Sequence, residues 1–366
     1  MTLSSGAGHP KTKGQKERIA TIGTSGIAQR FLDALAGYEG AAYAGAYSRD
    51  LARARAFSSE HGGTLAFDSL DELGACPDVD AVYISSPNAV HASQALALVR
   101  AGKHVLVEKT FASNAREAKR VFDAASEQGV VAMEAMRSIH TPGFRAVVET
   151  LPQLGDVRLA QMGFSKVTSR ISRLRAGERL NVFAPRLSGG SLMDIGVYCV
   201  EPAMALFERP TSVNASLVLT EVPGEPADSP YRKVDLAGAI LLGYGDKVVT
   251  LSFGKVSDDL APCQVEGERA TLIYQDITKP HDLRVVEHVD RGMTWGTVGG
   301  TERTVRVENP ENDMVCELAD FCEAASGDAV AIEHANMWAD VTLASLEVMD
   351  KVRAQAGVRF PADDES

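Results

Sequence analysis

Arg18-Ile-Ala-Thr-Ile-Gly-Thr-Ser-Gly-Ile-Ala28 is a short apolar run that breaks at Gly23 into a glycine-rich turn and resumes as a helical pattern. A first strand that feeds a first helix in this way aims backbone N–H groups and the helix N-terminus at a pyrophosphate. Read as G-x-G-x-x-G/A, Gly23 is the first glycine, Ser25 replaces the second and Ala28 fills the last position, with Thr24, Gly26 and Ile27 between them. An ordinary strand-to-helix turn closed by glycine is the alternative reading of the same residues.

On either side of this turn, apolar β-rich runs at 18–22, 41–47, 81–85, 104–108 and 130–134 alternate with helical patterns near 27–36, 50–61, 90–101 and 114–128. That alternation predicts βαβ units, and strands apolar on both faces predict a parallel sheet covered by helices on both sides. Beyond Pro142 the pattern changes to a helix near 143–150, a strand near 156–165 and a polar stretch holding Arg170, Arg173, Arg175 and Arg179. From 211 to about 307, alternating strands are separated by turn signals such as Pro223-Gly224, Glu266-Gly267 and Gly299-Gly300. Helices near 311–325 and 333–354 follow. The expected fold class is α/β: a Rossmann doubly wound parallel sheet, then an α+β domain with a large open, mostly antiparallel sheet. The expected division is a flexible tail over 1–17, a dinucleotide-binding domain over 18–141 and a substrate-binding and oligomerisation domain over 142–366. An open sheet with helices on one face leaves the other to be covered, so a homodimer or homotetramer through that face is expected.

The chain has 366 residues, 45% of them hydrophobic, and a net charge of −12. That charge argues against a broad nucleic-acid or anionic-membrane surface. No run approaching the roughly 18 apolar residues of a membrane span is read, and residues 1–17 lack the apolar core of a signal peptide, so a cytoplasmic protein is expected. The five cysteines are scattered without a CxxC pair, and the eight histidines form no HExxH or other ligand spacing, so no metal is expected.

Three further constellations carry chemistry. The second strand ends in Ser48-Arg49, where an NAD-specific fold places Asp or Glu, and Arg53 follows one helical turn later. Hydroxyl and guanidinium groups suit a 2′-phosphate, so NADP(H) is favoured over NAD(H), while Asp50 reads as the N-cap of the next helix. The fourth strand runs into Ser86-Pro87-Asn88, with Asn88 a candidate cap and His91 either facing the nicotinamide side or acting as a structural hydrogen-bonder. The fifth ends in Glu108-Lys109-Thr110, which places Lys109 at the sheet edge facing the cleft. Finally, Gly189-Gly-Ser-Leu-Met-Asp-Ile-Gly-Val-Tyr198 reads as a turn entering a helix, with Asp194 and Tyr198 on one face. A phenol of ordinary pKa about 10 becomes more acidic beside an ammonium, so Tyr198 and Lys109 are a candidate proton-exchange pair. A capping Asp and a buried Tyr are the plain alternative. Arg137 and His140, after the sixth strand, either line the same cleft or support the domain junction.

The ordered set Gly23–Ala28, Ser85–His91, Glu108-Lys-Thr110 and Gly189–Tyr198 resembles the Gfo/Idh/MocA oxidoreductases, over residues 18 to about 355. With Tyr where many sugar and inositol dehydrogenases carry His, it is most similar to the branch of glucose-fructose oxidoreductase and the dimeric trans-dihydrodiol dehydrogenases. The resemblance implies Lys109 as catalytic lysine and Tyr198 as catalytic tyrosine; Asp194 is read beside them as a carboxylate that holds and orients the lysine or binds a substrate hydroxyl. The substrate expected is a small polyol, sugar or cyclic diol; the resemblance implies an NAD(P)-binding domain, and the residues read above place the expected NADP(H) site at Gly23 to Ala28, Ser48, Arg49, Arg53, Ser86, Pro87, Asn88, His91, Glu108, Lys109 and Arg137. Two departures stand out: Thr110 replaces the family's proline, and Ser25 replaces its glycine. A nucleotide-binding sensor without turnover and an NAD-assisted glycosidase are the alternatives on the same fold.

Overall fold

The computed structural model describes residues 16–289 and 300–364, so nearly all of the expected tail, and Gly299 of one turn, lie outside the described residues. The first unit runs β1 (Glu17–Ile22), α1 (Gly26–Ala36), β2 (Ala41–Tyr47), α2 (Leu51–Glu60), β3 (Leu65–Phe67), α3 (Leu70–Ala75), β4 (Ala81–Ile84), α4 (His91–Arg100), β5 (His104–Glu108), α5 (Ala115–Gln128) and β6 (Ala132–Ala135). Its strands pair in parallel in the order β3-β2-β1-β4-β5-β6. The order reverses between β1 and β4, and ligands bind beyond the carboxyl ends of strands at such a switch point. Helix α1 buries Ala28, Phe31, Leu32 and Leu35, one stripe at i, i+3, i+4 and i+7. β3 and α3 were not anticipated, because three strand residues are too few to show a period.

The second unit comprises α6 (Arg137–His140), α7 (Pro142–Thr150), β7 (Val157–Ser165), α8 (Ile171–Arg175), α9 (Val197–Phe207), β8 (Ser212–Glu221), β9 (Lys233–Gly243), β10 (Val248–Gly254), β11 (Cys263–Gly267), β12 (Ala270–Gln275), β13 (His281–Glu287), β14 (Glu302–Val305), α10 (Met314–Ala325) and α11 (Ala329–Ala356). The strands form one open sheet, β14-β13-β12-β11-β7-β10-β9-β8, antiparallel except for the parallel β7–β10 pair. Its inner face packs Ile240, Leu242, Val249, Leu251 and Phe253 into a core that includes Val200, Met204 and Met349 from α9 and α11. Its outer face leaves Leu159, Val218 and Leu241 exposed. A concavity of about 490 Å³ on that face is lined by residues such as Gln161, Asn214, Ser252 and Gln264, none of them among the predicted site residues.

Two expectations need adjustment. Residues 185–207 do reach the length and mean hydropathy of a membrane span, but 78% of the apolar window is buried inside the protein, as befits a core helix. The division at 141/142 follows the chain and not the packing. Met314, Leu318, Phe321 and Cys322 of α10 join Ile19, Phe31 and Tyr83 in one core of the parallel sheet. Along α11, Leu346 joins the core on the sheet's other face while Val348 and Val352 join that of the open sheet. The C-terminal helices therefore tie the two sheets together.

Candidate active site

The turn after β1 requires its first glycine. Gly23 sits at φ 105°, and a Cβ there would fall 2.6 Å from Ser85 Oγ and 3.0 Å from Ser85 O. That close approach occurs at the switch point, where Ser85 N and Oγ both donate to Ile22 O, at 2.8 and 2.9 Å. Ser25 is the N-cap of α1, but its exposed hydroxyl makes no cap hydrogen bond. Gly26 opens the helix with open space where a Cβ would lie, Ile27 packs against the core, and Ala28 is fully buried beneath the turn. Thr24 is half-buried beside them. The cradle fits a dinucleotide pyrophosphate, since the helix N-terminus stays open and the serine hydroxyl is unspent.

Gly23 N donates to Tyr47 O across to the tip of β2 at 3.5 Å, so Ser48 and Arg49 stand one strand away from the turn. Asp50 caps α2 as expected, its Oδ1 accepting from Ala52 N at 2.9 Å and Arg53 N at 3.2 Å. Arg49 and Arg53 are exposed, and neither forms an ion pair among the described residues.

Beyond β4 the structure corrects two readings. Asn88 does not cap α4, which starts after Val90; its amide donates to Ser188 O at 3.2 Å and so bridges the two units. His91 does not face the cleft. It is buried with Nδ1 2.9 Å from Thr110 O and Nε2 2.7 Å from Ser86 O, and burial lowers its pKa. It is the structural hydrogen-bonder of the two alternatives, joining the loops that follow β4 and β5. Ser86 Oγ donates to Gln94 Oε1 at 2.6 Å, and Pro87 is exposed beside it.

Lys109 is the centre of the site. Its Nζ donates to Asp194 Oδ1 at 2.7 Å and to Asp194 O at 2.9 Å, and lies 5.2 Å from the centre of the Tyr198 ring. Burial opposes the ammonium's charge, but Asp194 and then Tyr198 outweigh burial and hold its pKa above the ordinary value. The Lys109–Thr110 peptide is cis, and Thr110 Oγ1 donates to Met193 O at 2.7 Å, which ties this turn to the segment carrying Asp194. Glu108 does not pair with its neighbour. Buried, it accepts from Tyr83 Oη at 2.5 Å, and burial raises its pKa.

Asp194 lies in a wider, π-type helical turn over 192–196 that leads into α9, so it and Tyr198 do not share the regular α-helical spacing expected. They converge nonetheless, because both meet Lys109. The approach to this turn is tightly built. Gly190, at φ 146°, would place a Cβ 2.2 Å from Asp235 Oδ1. Asp235 Oδ2 accepts from Leu192 N at 2.6 Å, and burial pushes its carboxyl up to about 6.

Arg137 lies on the other side of Tyr198, its guanidinium carbon 5.3 Å from the ring centre, and pairs with the fully buried Asp313. Asp313 also holds Arg30 of α1 at 2.5 Å. His140 does not line the cleft. It is buried, with Nδ1 2.7 Å from Asp320 of α10 and its ring edge-on to Trp338, and so supports the domain junction.

Sequence reading missed Lys255, Asp313 and Asp235. Lys255 Nζ pairs with Asp194 Oδ2, so one carboxylate is shared by two ammoniums. Burial would raise the pKa of Asp194, but Lys109 and Lys255 hold it far below the carboxylate range. A lysine directly after the β10 pattern was the available signal, the same kind that found Lys109. Which strand end faces the cleft depends on sheet order, which periodicity does not give.

Comparison with known proteins agrees with this arrangement. Residues 17–136 match the oxidoreductase family with an NAD-binding Rossmann fold, and residues 152–273 match the GFO/IDH/MocA C-terminal domain. The chain is 35% identical to scyllo-inositol 2-dehydrogenase (NADP(+)) IolU of Bacillus subtilis over 94% of its own length and 99% of the relative's. It is 33% identical to trans-1,2-dihydrobenzene-1,2-diol dehydrogenase of Xenopus tropicalis over 86% and 89% of the two chains. The 3-ketoreductase KijD10 of Actinomadura kijaniata, solved with NADP and TDP-benzene, shares the fold at a TM-score of 0.74 and 24% identity, covering 94% of this chain and 99% of its own. With both halves matched and the lysine, aspartate and tyrosine gathered between them, this chain belongs to the GFO/IDH/MocA family of oxidoreductases.

Proposed function

We propose that this protein is an NADP(H)-dependent oxidoreductase that interconverts a secondary alcohol and a carbonyl on a sugar-like or cyclic-diol substrate. The observation that carries this reading is the meeting of Lys109, from the end of β5, with Tyr198 and Asp194 from the other unit. A bound NADP(H) supplies the hydride acceptor or donor. Gly23 to Ala28 would hold its pyrophosphate, with Ser48, Arg49 and Arg53 toward the 2′-phosphate. Tyr198 exchanges the proton of the reacting oxygen, which is the task of a general acid–base group at this position. Two of the three N–H donors of Lys109 are taken by Asp194, and the third is left for that same oxygen as negative charge develops on it. Asp194 fixes the lysine, and its own charge is secured by Lys255. Relatives named for dehydrogenation of scyllo-inositol and of a dihydrobenzenediol support the substrate class.

A panel of inositols, sugars and cyclic diols assayed for NADP+ and NAD+ reduction tests this reading. Turnover with at least one of them and preference for NADP+ is the expected result. Arg49→Ala is expected to weaken NADP+ binding by about tenfold, the value of one charge-assisted contact. An unchanged dissociation constant would remove the 2′-phosphate assignment, and absence of turnover across the panel would remove the catalytic one.

A further inference from the structure

We propose that Lys255 is a specificity-determining residue that reads a second substrate oxygen, on the carbon next to the reacting one. The inference rests on the oxidoreductase reading above and deepens it.

The side chain of Lys255 is 7% exposed, yet among the described residues its ammonium has a single acceptor, Asp194 Oδ2. An ammonium carries three N–H donors, so two are unspent in a nearly buried position, which is costly unless a ligand oxygen or water accepts them. The backbone fixes the residue at the end of β10: Lys255 N donates to Leu236 O at 2.9 Å and Lys255 O accepts from Thr168 N at 3.0 Å. The Phe183 ring, 6.0 Å from Nζ, closes one flank. The backbone of Lys255 is thus fixed by the sheet, and Asp194 and Phe183 set where its ammonium lies.

Lys109 occupies the other oxygen of the same carboxylate and also retains one free donor. The two ammoniums therefore present unspent donors on either side of Asp194, one carboxylate apart. A lone alcohol would engage only one of them. A substrate with vicinal oxygens engages both, with its reacting oxygen at Lys109 and Tyr198 and its neighbour at Lys255. A single carboxylate between two ammoniums also leaves a net positive charge, which suits two electron-rich oxygens better than one. The chemical class selected is a vicinal diol or polyol, or the corresponding α-hydroxy ketone.

The test compares oxidation of trans-cyclohexane-1,2-diol and of cyclohexanol by the NADP+-loaded protein, in wild type and in Lys255→Met. Wild type is expected to favour the diol by about tenfold or more in kcat/KM, the worth of one buried hydrogen bond to a charged donor. Lys255→Met is expected to lose most of that ratio, through KM for the diol, while Lys255→Arg keeps it. Loosening of Asp194 alone would lower both substrates equally and leave the ratio unchanged, which would overturn the inference. If neither compound is turned over, the oxidoreductase reading is decided by the full panel of inositols, sugars and cyclic diols and fails only when that panel gives no turnover. The inference is then read from thermal shift of the same proteins by the diol: a shift seen in wild type and absent from Lys255→Met supports it, and equal shifts, or none in either, overturn it.

Discussion

Tyr198 shows what a single residue gains from its surroundings. On its own a tyrosine 8% exposed in an apolar helix is core. Between the Lys109 ammonium and the Arg137 guanidinium, with Phe164 edge-on at 5.7 Å, the phenol is flanked by cations from two directions. Asp194 lies beyond Lys109, on the far side of its ammonium. Tyr198→Phe removes the exchangeable proton and little volume. It is expected to lower kcat by about 10²- to 10⁴-fold, the usual contribution of a positioned acid–base group, while leaving NADP+ affinity within about threefold. Steady-state kinetics with fluorescence titration of the cofactor separates the two effects, and a loss of affinity without a loss of kcat would reject the role. Lys109 and Tyr198 were legible in the sequence because each follows a recognisable pattern. Lys255 was not, because its importance comes from Asp194, 61 residues away.

Among the elements, the segment from Gly189 through α9 has the most demanding construction. A helix that carries two site residues needs a fixed entrance, and the sequence supplies it with Gly189-Gly190 and a carboxylate from another strand. Asp235 occupies the space where a Gly190 side chain would sit, and it receives Leu192 N. Gly190→Ala therefore meets both an unfavourable φ and a direct clash, with strain of about 1–3 kcal/mol before any relaxation. The expected result is a lower Tm and a drop in kcat, with cofactor affinity preserved because the Gly23 turn lies in the other sheet. Differential scanning calorimetry checks it, and a variant of wild-type Tm would show that the entrance is not under this constraint. The opening strand–turn–helix was legible for the opposite reason. Its determinants are local, and the five long strands and four helices of the first sheet announce themselves by periodicity. The short β3 and α3 do not, and the π-type turn at 192–196 is set by contacts from Lys109, Thr110 and Asp235, not by helix propensity.

At the scale of the molecule, the junction of the two sheets contains buried acids. Glu134 of β6 accepts from Phe111 N at 2.8 Å and from Thr342 Oγ1 of α11 at 2.9 Å. Glu201 of α9 is buried near it, and both groups are raised above the ordinary glutamate range, by burial first: Glu134 to about 7, and Glu201 well above its ordinary value, with the neighbouring Glu134 carboxylate adding to burial. The native state thus keeps protons that the unfolded chain loses near the ordinary value of about 4.3. Stability from this pair is fully present below that value and is lost as pH rises through about 7 and beyond. Thermal unfolding followed from pH 5 to pH 9 is expected to show a falling Tm on the alkaline side. Glu201→Gln, which keeps a donor toward Glu134 and cannot ionise, is expected to flatten it, whereas an unchanged slope would assign the dependence elsewhere.

Near neighbours along the chain suffice for the parallel-sheet unit, the glycine turn at Gly23, the Ser48-Arg49 tip of β2, and the singling out of Lys109 and Tyr198 as candidate site residues. Tertiary structure decided what depends on distant segments meeting. It turned His91 and His140 into buried supports, sent Asn88 across to Ser188, packed α10 onto the parallel sheet and α11 onto both sheets, and placed Lys255 on Asp194. The physical reason is the range of the forces that fix each feature. Strand and helix periods are written within about ten residues, but the charge on a buried ammonium or carboxylate is settled by partners that only the folded chain brings within hydrogen-bond distance.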